Sequence, residues 1–306
     1  MPLSIVRNDI TKMKVGAIVN AANTRLQMGG GVCGAIFYAA GPPQLQTACD
    51  KLAPIKNGDA VITDGFALPA KYVIHTAGPV YKGGNYNEEE QLRSCYVNSL
   101  SLADENGCGS IAFPLISSGI FGYPKDEALS VATNAIVGWL MENDSDMGVS
   151  LVVFDKTAFM PPQELLSDVR TFISENYIHE RAEKIQDNQP PQIETETPFS
   201  QALLQLIGRK GKTDAEVYKR ANIGRKSFAK IQSPDYRPDK NTVAALAVSL
   251  ELSLDETGEL LKCGGFALSK SALFDVILEY FITRRKYDIY EINNVLFEYD
   301  QDILGE

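Results

Sequence analysis

Four short runs in the first half of the chain are apolar and free of Asp, Glu, Lys and Arg: residues 15–20 (VGAIVN), 72–76 (YVIHT), 110–116 (SIAFPLI) and 150–154 (SLVVF). Runs of that length and character predict strands buried on both faces. Helical patterns stand between them. One, from about Val32 to Ala40, is stopped by Gly41-Pro42-Pro43. A second opens with Asn87 in the cap position and Glu88-Glu89-Glu90 in its first turn, and a third with Pro124 followed by Asp126-Glu127. This alternation predicts an α/β domain over residues 1–178, with a parallel or mixed sheet covered by helices on both faces. Residues 179–198 (HERAEKIQDNQPPQIETETP) carry three prolines, many charges and few apolar residues. They predict a linker over 179–197. From 198 to 306 the pattern is wholly helical. Thr213-Asp214-Ala215-Glu216 and Ser253-Leu254-Asp255-Glu256 fit the capping box, and two amphipathic helices are expected near 272–284 and 289–299.

Charge changes this picture in one place. The formal net charge of −10 argues against nucleic-acid binding by the chain as a whole. Residues 208–240, however, hold 10 basic and 4 acidic side chains, whereas 251–306 hold 5 basic and 12 acidic. A basic island in an acidic chain marks a candidate anion-facing surface. The five cysteines are scattered and form no C-x-x-C pair, so reduced thiols are expected, with no disulfide framework and no metal. No apolar run reaches 18 residues, and Arg7 and Asp9 interrupt any signal-like start. The expectation is a cytoplasmic protein without a membrane partner.

The candidate chemistry lies where strands give way to loops. Asn20 and Asn23 follow Ala17-Ile18-Val19, at the carboxyl end of a predicted strand, where ligands gather in open α/β sheets. A carboxamide suits sugar hydroxyls, and it equally suits pinning its own loop. Both asparagines are candidates, Asn20 with the more structural role. Gly29-Gly30-Gly31 then lead into the helix at Val32 and Cys33, so main-chain N–H groups can approach an anion unobstructed at a helix N-terminus. A second such loop is Ser117-Ser118-Gly119-Ile120-Phe121-Gly122. Two of them could hold both sides of a diphosphate.

Gly29 to Gly34 also spells G-x-G-x-x-G. A dinucleotide fingerprint needs those glycines directly after the strand, and here residues 21–28 intervene. Asp50, at a tolerable distance for the ribose-binding acid, lies in a helical pattern. No Ser-His-Asp triad is apparent. His75 reads as a structural strand-end histidine, and Cys33 as a small residue rather than a nucleophile.

These residues resemble the macro domain family. The resemblance rests on NDIT (8–11), IVNAAN (18–23) with GGGV (29–32), IHTAGP (74–79), ISSGIFGYP (116–124) and VVFDK (152–156), and covers about residues 1–175. It implies a three-layer α/β/α fold that binds ADP-ribose and needs no cofactor. It places Asp9, with Ile10 beside it, on the adenine amine and Phe154 on the adenine face. The diphosphate falls between the glycine loop and Ser117–Phe121, and the distal ribose on Asn23 with Phe121 near it. Many members hydrolyse ADP-ribosyl esters of acidic residues or deacetylate O-acetyl-ADP-ribose, using a water held near the anomeric carbon and assisted by the substrate's phosphate. Asn23 and Gly31 are then the catalytic candidates. MacroD-type hydrolases have an aspartate at the position of Cys33 and a histidine at that of Phe37, so their general base is absent here. Viral macro domains with a small apolar residue there still hydrolyse.

Residues 199–268 resemble a lambda-repressor-like helix-turn-helix. In KTDAEVYKRANIGRKSFAKI (212–231), the resemblance implies that Val217, Ala221, Ile223, Phe228 and Ile231 face the core. It implies that Arg225, Lys226, Ser227 and Lys230 face outward, in position for phosphates or base edges. Two functions follow as expectations: an ADP-ribosyl hydrolase with a helical accessory domain, or a non-catalytic ADP-ribose reader coupled to a DNA- or protein-binding domain.

Overall fold

The computed structural model describes residues 3–153, 161–177 and 198–305. Contacts divide the chain into two units, Leu3–Met160 and Pro161–Glu306. The first holds six strands, β1 (Leu3–Arg7), β2 (Ala17–Ala22), β3 (Ala60–Asp64), β4 (Tyr72–Ala77), β5 (Ser110–Phe113) and β6 (Gly148–Val153). They form one sheet in the order β1-β6-β5-β2-β4-β3, and only the β3–β4 pair is antiparallel. The four runs with continuous apolar character are the inner strands. The edges β1 and β3 alternate or stay half-exposed, which is why composition does not announce them.

Side chains alternate between two helical layers. Ile18, Val73 and Ala112 join the core beneath α1 (Gly31–Ala40) and α2 (Pro42–Asp50). Their neighbours turn the other way. Phe113 stacks on Tyr96 of α3 (Glu88–Glu105) with ring centroids 5.2 Å apart. Trp139 of α4 (Lys125–Glu142) donates to the Ser101 hydroxyl of α3 at 3.0 Å. The result is a three-layer α/β/α fold with a mixed sheet.

Several boundaries differ from the sequence reading for local reasons. Strand β5 ends at Phe113 because Pro114 lacks the N–H a ladder needs. Strand β2 runs on to Ala22, so Asn20 lies inside it. Asn87 occupies the cap position of α3 in a left-handed conformation and makes no side-chain capping bond. The buried Glu88 carboxylate instead accepts the Lys82 and Tyr86 N–H groups, organising the turn before the helix.

The second unit is helical throughout its described residues: α5 (Gln163–Asn176), α6 (Phe199–Lys210), α7 (Asp214–Arg220), α8 (Arg225–Ile231), α9 (Lys240–Ser249), α10 (Leu254–Cys263), α11 (Leu273–Thr283) and α12 (Ile289–Glu298). One apolar core joins them. Leu165 and Val169 of α5 belong to that core, so α5 groups with the second unit, whereas the sequence reading drew the domain edge at 178. The linker read over 179–197 lies outside the described residues. Both capping boxes form. Gln232 at the end of α8 donates to Asp214 at the start of α7 (2.8 Å), and Tyr218 packs on Phe228, holding the two short helices together. Among the described residues no helix is long and apolar enough to cross a membrane.

Asn20 and His75 stand opposite each other on β2 and β4, both fully buried. The Asn20 amide donates to His75 Nδ1 (3.0 Å), and His75 Nε2 lies 3.0 Å from the Thr63 hydroxyl on β3. This polar chain ties three strands together. Burial pushes the His75 pKa from 6.5 down to about 4. The unfolded chain therefore binds the extra proton between those values. The contribution is complete above about pH 6.5 and declines as pH falls toward 4. It is on the order of 3 kcal/mol. Urea unfolding followed by Trp139, the single tryptophan, should show stability falling through that window. His75→Gln should flatten the slope there.

Candidate functional site

Five strands, β1, β6, β5, β2 and β4, run parallel and end on one edge of the sheet. A cavity of about 690 Å³ opens along that edge. Its lining comes from the residues that follow these strands: Asp9 and Ile10 after β1, Asn23 after β2, Gly78 after β4, and residues 114–121 after β5. Strand order sets the spacing. From β1 to β2 there are three strand intervals, about 14 Å, so Asp9 and Asn23 mark well-separated ends.

The glycine loop opens α1. Gly30 occupies the cap position and has no side chain to offer, so the first N–H groups of the helix receive no side-chain cap. Gly31 has φ = +60°. The fourth glycine of the run serves packing: a methyl on Gly34 would stand 2.7 Å from the Gly29 carbonyl oxygen. The G-x-G-x-x-G spelling thus folds the loop back on its own helix. Across the cavity, Ser117 is a non-glycine residue at φ = +64°. The Phe121 carbonyl accepts from Tyr81 N–H and the Ser117 carbonyl from Tyr123 N–H, which ties both ends of this loop down. Gly78 is required beneath it, since a methyl there would lie 2.3 Å from Ser117 Oγ and 2.7 Å from Ile116 Cγ2. The Ser117 hydroxyl is buried without a hydrogen-bond partner among the described residues. Ile120, 86% exposed, reaches toward Gly30, so the two loops approach each other over the cavity.

Among the described lining residues there is no lysine, arginine or histidine, and Asp9 is the one carboxylate. Asp9 caps the 3-10 turn Ile10–Lys12. Its Oδ1 accepts both the Thr11 hydroxyl (2.7 Å) and the Thr11 N–H (3.0 Å). The hydroxyl bond chiefly, with the N–H bond, holds its carboxyl below the usual range although partial burial works against it. Asn23 also works locally: its Oδ1 accepts the Arg25 and Gln27 N–H groups, and its Nδ2 donates to the Gln27 carbonyl (2.7 Å). One N–H of that amide remains for a ligand.

The fold thus brings together Asp9, Ile10, Asn23, Gly29 through Cys33 and Ser117 through Phe121 around one cavity. Asn20 is not among its lining residues, because the extension of β2 places its amide against His75 in the core. Phe154 lies outside the described residues, and Val152 and Val153 before it line the cavity. Arg225, Lys226, Ser227 and Lys230 are exposed on α8 of the second unit. Sequence reasoning missed Ala35 on α1, and it missed Asn8, Ala21, Ala22, Gly78, residues 114–116, Val152 and Val153 at strand ends. Those at strand ends could have been found by the strand-end rule had small and apolar residues been admitted as candidates.

Residues 19–132 match the family model described as Macro domain. An O-acetyl-ADP-ribose deacetylase of Citrobacter rodentium is 44% identical over 168 residues, covering 54% of this chain and 95% of the relative. A Trypanosoma brucei macrodomain, crystallised in complex with ADP-ribose, is 37% identical and covers 51% of this chain and 66% of its own, with a TM-score of 0.48. A macro domain-containing protein of Chlorobaculum tepidum is 51% identical over 149 residues, 49% of this chain and 84% of the relative. With that identity over most of a relative's length, the chain belongs to the macro domain family.

Proposed function

We propose that the first unit binds ADP-ribose along the carboxyl edge of its sheet and hydrolyses esters of the distal ribose, either O-acetyl-ADP-ribose or mono-ADP-ribosyl esters of acidic side chains. The observation that carries this reading is the pair of main-chain loops around a cavity whose described lining has no cationic side chain. Such a lining holds an anion through N–H groups and the positive end of α1. A diphosphate lies between the loops, with the unpartnered Ser117 hydroxyl within its reach. Asp9 accepts from the adenine amine through Oδ2, which carries no hydrogen bond among the described residues. Asn23, about 14 Å away by strand spacing, holds the distal ribose. The 44% identity to an O-acetyl-ADP-ribose deacetylase supports the ester chemistry.

Catalysis in this reading is positioning. For an ADP-ribosyl ester, water attacks the anomeric carbon, the bond from that carbon to the carboxylate oxygen breaks, and ADP-ribose and the acid separate. For O-acetyl-ADP-ribose, water adds to the acetyl carbonyl, the bond from the acyl carbon to the ribose oxygen breaks, and that oxygen takes a proton as acetic acid departs. As the family resemblance implies, the substrate's own diphosphate assists the water; the one carboxylate among the described lining residues, Asp9, is assigned to the adenine amine instead. Asn23 fixes the ribose against that water. Calorimetry of the full chain should detect ADP-ribose binding, and O-acetyl-ADP-ribose or an ADP-ribosylated glutamyl protein should release ADP-ribose. Asn23→Ala should lower turnover about 100-fold, the scale of an ångström-sized misplacement. Absence of both binding heat and product would overturn the proposal.

A second reading, an ADP-ribose reader with a DNA- or protein-binding helical unit, is favoured by the exposed Arg225, Lys226, Ser227 and Lys230 on α8. The basic island is partly spent inside the unit: Lys210 pairs with Glu256, Lys212 and Arg220 with Glu251, and Lys240 with Asp275. Lys226 and Lys230 offer the charge that meets phosphates. Duplex affinity should therefore fall with salt, and Lys226→Ala with Lys230→Ala should reduce the log–log slope by about 2. An affinity indifferent to salt would exclude phosphate contact.

A further inference from the structure

The stretch between Asn23 and Gly29 joins the distal end of the cavity to the glycine loop and belongs to no regular element. It is held from outside. Gln46 on α2 accepts the Met28 N–H on Oε1 (3.0 Å) and donates from Nε2 to the Leu26 carbonyl (3.2 Å), so it grips the main chain on either side of Gln27. Its Nε2 also donates to Asp50 Oδ1 (2.9 Å), one helical turn further on. Gln27 Nε2 donates to the same oxygen at 3.1 Å. Both Gln46 donors and its acceptor are thus engaged, which leaves the amide one orientation that satisfies all three bonds. Gln27, between the gripped residues, in turn exchanges two main-chain bonds with the Asn23 carboxamide.

From this chain of contacts we infer that Gln46 is a positioning residue for Asn23, with Asp50 setting the Gln46 amide. The inference rests on the proposed hydrolysis for its kinetic meaning, but the clamp itself has a readout that needs no substrate. Asp50, a candidate ribose acid on spacing alone, thereby has a different task. It orders the loop through Gln46 and Gln27 and is not among the described residues that line the cavity.

The test uses the full chain. In nitrogen-15 spectra, the Asn23 side-chain amide should be sharp and dispersed in the wild type and shifted toward random-coil positions in Gln46→Ala. With O-acetyl-ADP-ribose, Gln46→Ala should lower kcat about tenfold with a smaller change in KM. Asp50→Ala should move both readouts the same way, and Asp50→Asn, which keeps the accepting oxygen, should restore them. Adding Gln46→Ala to Asn23→Ala should slow turnover no further. An unchanged Asn23 signal in Gln46→Ala would overturn the inference, whatever the activity. So would a lowered melting temperature with kcat retained, or full multiplicativity with Asn23→Ala. A wild type that neither binds ADP-ribose nor turns over substrate would sink the proposed function instead, and the spectrum would still decide the clamp.

Discussion

Parallel pairing is the constraint from which the site follows. Once β1, β6, β5, β2 and β4 share a direction, every carboxyl end arrives at one edge, and each chain segment leaving a strand must turn there. Parallel strands need long crossovers, so those turns lead into helices or loops rather than tight hairpins. The cavity is the space left between such departures. Its length is counted in strand intervals, and its ends are set by which segments follow β1 and β2. The buried Asn20–His75–Thr63 chain holds β2, β4 and β3 in the register this requires.

What could be read from the residues follows from how each signal arises. The inner strands are buried on both faces, so 72–76 and 150–154 show themselves as continuous apolar runs. The segment LSIVR at β1 is buried on alternate residues only and blends into an ordinary amphipathic start. The capping boxes at Thr213 and Ser253 were legible because both partners lie within four residues. Asn20 was harder. Its neighbour His75 is 55 positions away, and nothing local distinguishes an amide bound for the core from one bound for a ligand. Glu88 is similar: its carboxylate serves the turn before α3, while its sequence context reads as one of three acids complementing a helix dipole.

The second unit shows the limit of counting charge. Residues 208–240 carry a surplus of six positive charges, yet the fold sets acidic groups from beyond residue 250 against four of the ten basic side chains. The three partly exposed pairs, on Glu256 and Glu251, add little stability, typically under about 1 kcal/mol each, whereas the Asp275 carboxylate that Lys240 meets is buried. Their larger effect is on the surface field, which they weaken around those four side chains.

A cavity rimmed by main-chain amides has one further consequence. Alanine scanning removes atoms beyond Cβ, and residues 29–31 have none to remove. A scan across the glycine loop would therefore register no lost side-chain contact: a methyl on Gly29 or Gly30 meets only ordinary van der Waals neighbours, and one on Gly31 acts through the backbone strain of its φ of +60°. The chemistry of such a rim is encoded in backbone shape. It can drift in side-chain identity while keeping its donors, and it is lost only where the backbone changes course.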